Sequence, residues 1–287
     1  MLLSPPDADA RSVSGKLEIG AGLNARGETV LRHQYHSVPF HLSKAYWDGQ
    51  ALLVQVVNPT AGIFQGDYME SRVVLDEGTS VLITSPSAAR THTQRNRGEA
   101  RADDALLEQS FDVAGNSWLE VFPELLIPQT GSVFRQKTEI NVAEGGELYF
   151  VEMLAPGRLA HGESLAYDRL EWSFVLNHQG RPAAIERARV EPPQSCWMLQ
   201  VPEWEQAFYG AAWIVSPALK ELPESVFTEL EDLAGERSHL GVSRVSPEIL
   251  AIKILSESSR ELRQLNARVR EIMTPFLPRL RSTPRKL

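Results

Sequence analysis

At 287 residues, with 43% hydrophobic and 23% charged side chains, the chain is long enough for one large β domain or two ordinary ones and able to bury a sizeable core. Its net charge of -8 argues against a general nucleic-acid binder and against attraction to an anionic membrane surface, because both depend on clustered Lys and Arg. No apolar run approaches the roughly 20 residues of a membrane-spanning helix; the start Met1-Leu-Leu-Ser-Pro-Pro-Asp-Ala-Asp lacks signal-peptide features, and the single Cys196 permits neither an internal disulfide nor a thiolate zinc site, so a cytoplasmic protein is expected.

In chain order, residues 1–15 are expected to be disordered. Arg32 to His41 reads as extended; His33 and His36, three residues apart, then point to opposite faces, which disfavours metal ligation by them with His41. Leu52 to Val57 is an apolar strand that ends at Asn58-Pro59, and Gly62 and Gly66 supply backbone angles that other residues resist, with Asp67 closing the turn. Three segments then share one pattern of apolar strand, glycine turn and second apolar strand. They run from Val73 through Gly78 to Ile83, from Phe111 through Gly115 to Phe122, and from Ile140 through Gly145 to Met153. Such a repeat predicts stacked strands that bury their faces against one another. The competing reading is a β-sandwich, in which any glycine-turned hairpin has this pattern.

When the second strands of the repeat are aligned on their apolar alternation, Val81, Ile83 and Ser85 share a face with Trp118, Glu120 and Phe122 and with Leu148, Phe150 and Glu152. Glu120 and Glu152 are then either surface carboxylates or members of a polar, wet track through a β core, where each needs a partner or water. Further on, Leu222, Val226, Leu230 and Leu233 have helical spacing up to Gly235, and Ile249 to Leu255 is a dense strand. Ser258 to Glu261 forms a capping box for a helix whose apolar stripe is Leu262, Leu265, Val269, Ile272 and Phe276; Arg260, Arg263, Arg268 and Arg270 occupy its remaining surface. Pro275 and Pro278 end that helix, and residues 274–287 form a basic, extended tail. The fold class expected is mainly β, a β-helix-like stack of strands in one domain spanning 1–287, with two α-helices near the C-terminus.

No nucleophile elbow, phosphate-binding loop or dinucleotide fingerprint is present, so no enzyme activity is expected. What gives the chain its character is an ordered series of short blocks. These are Asn58-Pro59 with Gly62, Gly66 and Asp67; Thr84-Ser85 through Ala89; Pro123 through Pro128; Gly157-Arg158 with Ala160, Gly162 and Glu163; and Pro284-Arg285 near the end. In that order and spacing the chain resembles the UreD (also called UreH) family of urease accessory proteins over nearly its whole length. It departs from the family pattern at Ala61, where the first of two paired glycines usually stands, and at Lys286-Leu287, where an aliphatic-Trp pair usually follows Pro-Arg.

The resemblance implies a β-helical fold with a pair of helices, no tightly bound cofactor, and a scaffold that joins UreF and UreG to apo-urease in a hetero-oligomer. It further implies that nickel(II) passes through an internal channel towards the enzyme's dinuclear site. Asp67, Glu120, Glu152 and Glu163 are the candidate acids of such a path, since a few hard oxygen donors suit conduction while His or Cys clusters suit storage. The helix stripe Leu262, Leu265, Val269, Ile272 and Phe276, with Pro284 and Arg285, is the candidate surface for UreF. Two alternatives remain at this level: a β-helical enzyme acting on a polysaccharide through paired carboxylates, and an interaction scaffold with no metal role.

Overall fold

The structure is a computed structural model and describes residues 13–49, 51–94, 104–193, 195, 201 and 203–281. Among them the strands form two sheets, one of seven strands and one of eleven. The chain enters the first sheet with β1 (Ser14–Leu23) and β2 (Thr29–His36), then the second with two short strands, β3 (His41–Leu42) and β4 (Tyr46–Trp47), which both pair with β5 (Leu52–Val57). It then alternates. β6 (Tyr68–Leu75) lies in the first sheet, β7 (Ser80–Thr84) with the short β8 (Ala89–Thr91) in the second, and β9 (Ala105–Val113) in the first again. β10 (Trp118–Phe122) and the short β11 (Leu126–Pro128) return to the second sheet, β12 (Val133–Val142) to the first, β13 (Glu147–Leu154) to the second and β14 (Arg169–His178) to the first. Each strand of this stretch pairs in parallel with its equivalent one turn on: β1–β6–β9–β12–β14 in one sheet, β5–β7–β10–β13 in the other.

The three glycine turns are therefore not hairpins. Each carries the chain from the first sheet into the second, and the turns stack: the Gly78 amide donates to the Gly115 carbonyl (3.2 Å) and the Asn116 amide to the Gly145 carbonyl (3.1 Å). The ladder thus continues through the corners, which leaves few unpaired backbone groups there. Antiparallel strands finish both sheets. β15 (Arg181–Val190) folds back on β14, while β16 (Phe208–Val215), β17 (Ser238–Ser246) and β18 (Ile249–Ser256) extend the second sheet beyond β13. The helices are α1 (Glu224–Glu231) and α2 (Ser259–Met273). The chain is mainly β with two helices, as its sequence pattern requires.

Both faces of the second sheet are covered, which explains its near-continuous apolar strands. One face meets the first sheet through Val81, Ile83, Leu119, Val121, Leu148 and Phe150. The other meets the helices through Leu82, Trp118, Phe122, Tyr149, Val151 and Met153. The register corrects the alignment drawn from alternation alone: Trp118 stands opposite Ser80 and Glu147, and Glu120 opposite Leu82 and Tyr149. Glu120 and Glu152 consequently lie on opposite faces of the sheet. Alternation fixes which residues share a face within one strand, but not the offset between strands, and a one-residue offset exchanges the faces.

Two boundary expectations also change. Ser14 and Gly15, in the segment 1–15 expected to be disordered, belong to β1, and residues 1–12 lie outside the described residues. In the tail 274–287, Leu277 and Leu280 are fully buried in the helix-side core. The stripe Leu262, Leu265, Val269 and Ile272 is buried in the same core and Phe276 packs against it, so these residues hold α2 to its own sheet and do not form a partner surface. Arg270, expected on the surface, reaches into that layer instead. Pro284, Arg285, Lys286, Leu287 and Cys196 lie outside the described residues.

Candidate functional site

The blocks singled out in the sequence converge at one end of the two sheets. Each follows a parallel strand of the second sheet: Asn58 to Asp67 after β5, Thr84 to Ala89 after β7, Pro123 to Pro128 after β10, and Gly157 to Glu163 after β13. Parallel pairing places these C-terminal strand ends side by side, so equivalent loops of successive turns stack on each other. Thr84 Oγ1 donates to the Phe122 carbonyl (2.8 Å), and the Glu124 amide donates to Ser85 Oγ (2.8 Å). The Asn58 side chain accepts from the Thr60 amide at 2.9 Å, the local device by which Asn sets a turn before it enters the stack.

Glycine is needed where the loops touch. Gly62 has φ 148°, and a Cβ there would stand 2.6 Å from the Arg90 carbonyl oxygen; at Gly157, φ 152°, it would stand 2.5 Å from that of Glu163. At Gly62 the backbone of the adjacent turn occupies the space a side chain would fill, and at Gly157 the far end of its own loop does.

Beneath these loops, between the sheets, lies a cavity of about 270 Å³. Its walls are mostly apolar, with Phe40, Ile63, Phe134 and Phe150 among them, but polar side chains enter from both sheets. Ser71, Gln109 and Thr138 form one row across β6, β9 and β12, and the Gln109 amide donates to Thr138 Oγ1 at 2.8 Å. Gln136, two residues from Thr138 on the same face, donates its amide to Glu152 on β13. Ser71, Gln109, Gln136 and Glu152 all line the cavity. Glu152 is partly buried, and desolvation, the largest effect, pushes its carboxyl up to about 7, with Lys253 opposing and Glu186 adding to the rise. It keeps accessible surface, which the cavity provides.

The other three candidate acids are committed elsewhere. Asp67 is buried, with Oδ1 accepting from the Val13 amide (2.9 Å) and Oδ2 from the Phe64 amide (2.8 Å), so it closes its turn and ties it to the start of β1. Glu163 accepts from Arg158 Nε (2.9 Å) and from the Thr130 amide (3.2 Å); the Arg158 hydrogen bonds hold its carboxyl down at about 2, and the contact joins two successive mouth loops. Glu120, fully buried, takes a two-pronged pair from Arg270 of α2 (2.8 and 3.2 Å); burial pushes its carboxyl up and the guanidinium pulls it back. Only Glu152 of the four faces the cavity. Among the described residues no group of three or more His, Cys, Asp or Glu side chains is placed to hold a metal ion. His33 contacts Glu18 at 2.9 Å, and His36 packs edge-on against His41.

Sequence reasoning missed Ser71, Gln109 and Gln136. Their signal was present in the first strands of the repeat, where they interrupt inward series such as Met69, Ser71, Val73, Leu75 and Phe134, Gln136, Thr138, Ile140. An isolated polar residue at an inward position marks either a surface patch or a wet interior, and only the second sheet over it decides which.

Comparison with known proteins bears on the whole of this arrangement. Residues 13–286 match the family described as UreD urease accessory protein. The chain belongs to the UreD family. Among its relatives, the urease accessory protein UreD of Opitutus terrae is 37% identical over 96% of this chain and 99% of its own length. That of Lysinibacillus sphaericus is 27% identical over 92% and 96%, and that of Deinococcus radiodurans 34% identical over 66% and 64%. The UreD match takes in all four mouth loops and both helices. Among the described residues no helix is long and apolar enough to cross a membrane.

Proposed function

We propose that this chain serves in urease maturation as a scaffold, joining UreF and UreG to apo-urease, and that nickel(II) travels as cargo through the cavity between its sheets. Family membership supports the first part. The observation that carries the second is the oxygen-bearing set of Ser71, Gln109, Gln136 and Glu152 inside a mostly apolar cavity, under the mouth loops. Two further lining carboxylates, Glu124 and Glu171, are paired with arginines, so Glu152 and the neutral oxygens replace part of a divalent ion's hydration without holding it firmly, whereas tight sites gather several charged ligands. A weak, enclosed series favours passage over storage.

The test is urease activation by the Glu152→Gln variant at limiting and at excess nickel. The swap removes charge with almost no change of volume. Activation should fall several-fold at limiting nickel and recover in excess, where diffusion supplies the enzyme directly. Activation equal to the parent at limiting nickel would leave an interaction scaffold without a conducting role.

A further inference from the structure

The cavity under the mouth loops is walled in a way that a passing ion does not require. Phe40, Leu107, Leu126, Trp172 and Tyr209 line it and pack against the buried core at this end, yet each is only partly buried. Leu107 on β9 and Trp172 on β14 stand on either side of Gln136 in the register of β12, and all three line the cavity. Tyr209 extends this row, its ring 5.9 Å from that of Trp172 and tilted by 35°. Apolar and aromatic surface is thus left bare inside the fold, on both sides of one amide.

The polar groups of this wall have valences to spare. Gln109 donates to Thr138 at 2.8 Å, and Gln136 donates to Glu152 and, at 3.4 Å, to Thr138. Among the described residues, the carbonyl oxygens of both glutamines, the second Glu152 oxygen and Ser71 Oγ take no hydrogen bond, and none of these atoms is fully sealed by protein. What is left over is mainly acceptors, so the complementary ligand donates. Among the described residues no Lys, Arg or His lines the cavity, so an anion finds no counter-charge there. Ser87, exposed in the loop after β7, is part of the lining and marks an opening to solvent at the mouth. An apolar cavity of roughly 150 Å³ admits benzene; the volume here, about 270 Å³, admits a ring with one polar substituent.

We propose that the cavity is a binding site for a small, uncharged aromatic amide, its ring against Leu107, Trp172 and Tyr209 and its nitrogen donating to the free oxygens of Gln136 and Glu152. A bare apolar wall with a few convergent polar atoms is the composition of small-molecule sites. Binding rests on this lining alone; its consequence, that an occupant obstructs the delivery of nickel, rests on the reading of the cavity as a cation path.

Calorimetric titration of the full chain with benzamide, benzoate and toluene tests this. One benzamide should bind per chain with a dissociation constant of about 1 mM or tighter, at least tenfold more tightly than either benzoate or toluene. Gln136→Leu, which removes the amide between the two apolar neighbours, should erase the preference for benzamide over toluene; Gln136→Met serves if the Leu variant does not fold. Absence of benzamide binding overturns the proposal, as does equal binding of the three probes or a preference that survives loss of the Gln136 amide. The consequence is read separately, from urease activation at limiting nickel with benzamide present, assayed after the amide is dialysed away. Benzamide that binds as expected and leaves activation unchanged upholds the site and counts against conduction.

Discussion

An ionised Glu152 has little to stabilise it: one amide hydrogen bond from Gln136 and a lysine two strands away, set against desolvation at the cavity wall. The carboxyl, raised from 4.5 to about 7, therefore makes stability depend on pH in a definite direction. Below the unfolded value both states keep the proton and the residue costs nothing. As pH rises through the window between the two values, the unfolded chain gives up its proton first and folded stability falls; above about 7 the whole penalty is present. At about 1.4 kcal/mol per unit, that penalty is on the order of 3 kcal/mol, less whatever water in the cavity screens. Glu152→Gln should accordingly melt several degrees above the parent at pH 8, and the difference should close towards pH 5. Thermal melts at the two pH values check this, and a gap of equal size at both would show that Glu152 is not held protonated by burial. A residue that destabilises its own fold at neutral pH while impairing function when replaced has the signature of a site residue.

At the scale of elements, α2 shows what a sequence discloses about a helix and what it withholds. Its start was legible because capping is local: Ser258 Oγ accepts from the Glu261 amide at 3.1 Å. Its apolar stripe was legible from the 3.6-residue period. The surface that the stripe covers was not, since an apolar row flanked by arginines describes both a partner interface and a helix docked on its own sheet. The answer lies in distant residues. Gly210 of β16 leaves the hollow in which Leu262 sits, since a Cβ there would meet Leu262 Cδ1 at 2.8 Å, and Glu120 of β10 receives Arg270. Nothing near α2 in the chain announces either. Removing one side of the buried pair is predicted to cost more than removing both, because a lone carboxylate in that layer has no substitute for its lost partner. Arg270→Met should lose roughly 3–5 kcal/mol in urea unfolding, and adding Glu120→Met should restore a large part of it. If the double variant is no more stable than Arg270→Met, the pair is not what binds α2 to the sheet.

For the whole molecule, the repeat of strand, glycine turn and strand was legible because each unit is contiguous, and so was the order of the mouth loops. The partition of each unit between two sheets was not, since a corner and a hairpin use the same glycine chemistry and differ only in the partners found later. The C-terminal segment belongs to this level because it ties together parts far apart in the chain. Leu277 and Leu280 are fully buried with α2 and the second sheet, and Arg279 Nη1 donates to the Asn116 carbonyl (2.8 Å) within the stack of glycine corners. Removing residues 274–287 therefore takes away two core leucines and a brace on the corners. Large-to-small changes at single buried leucines cost about 2–5 kcal/mol each, so this deletion should yield protein that is unfolded or melts far below the parent. Removing only 282–287 spares all three contacts and should leave the melting temperature within about 2 °C of the parent, a change of well under 1 kcal/mol. Circular dichroism melts of the two truncations make the comparison, and a stable fold after removal of 274–287 would show that the leucines fill space without holding the layers together. The shorter truncation also isolates the proposed UreF contact at Pro284 and Arg285. Capture of UreF by a folded 1–281 chain at parental strength would place that contact on another part of the surface.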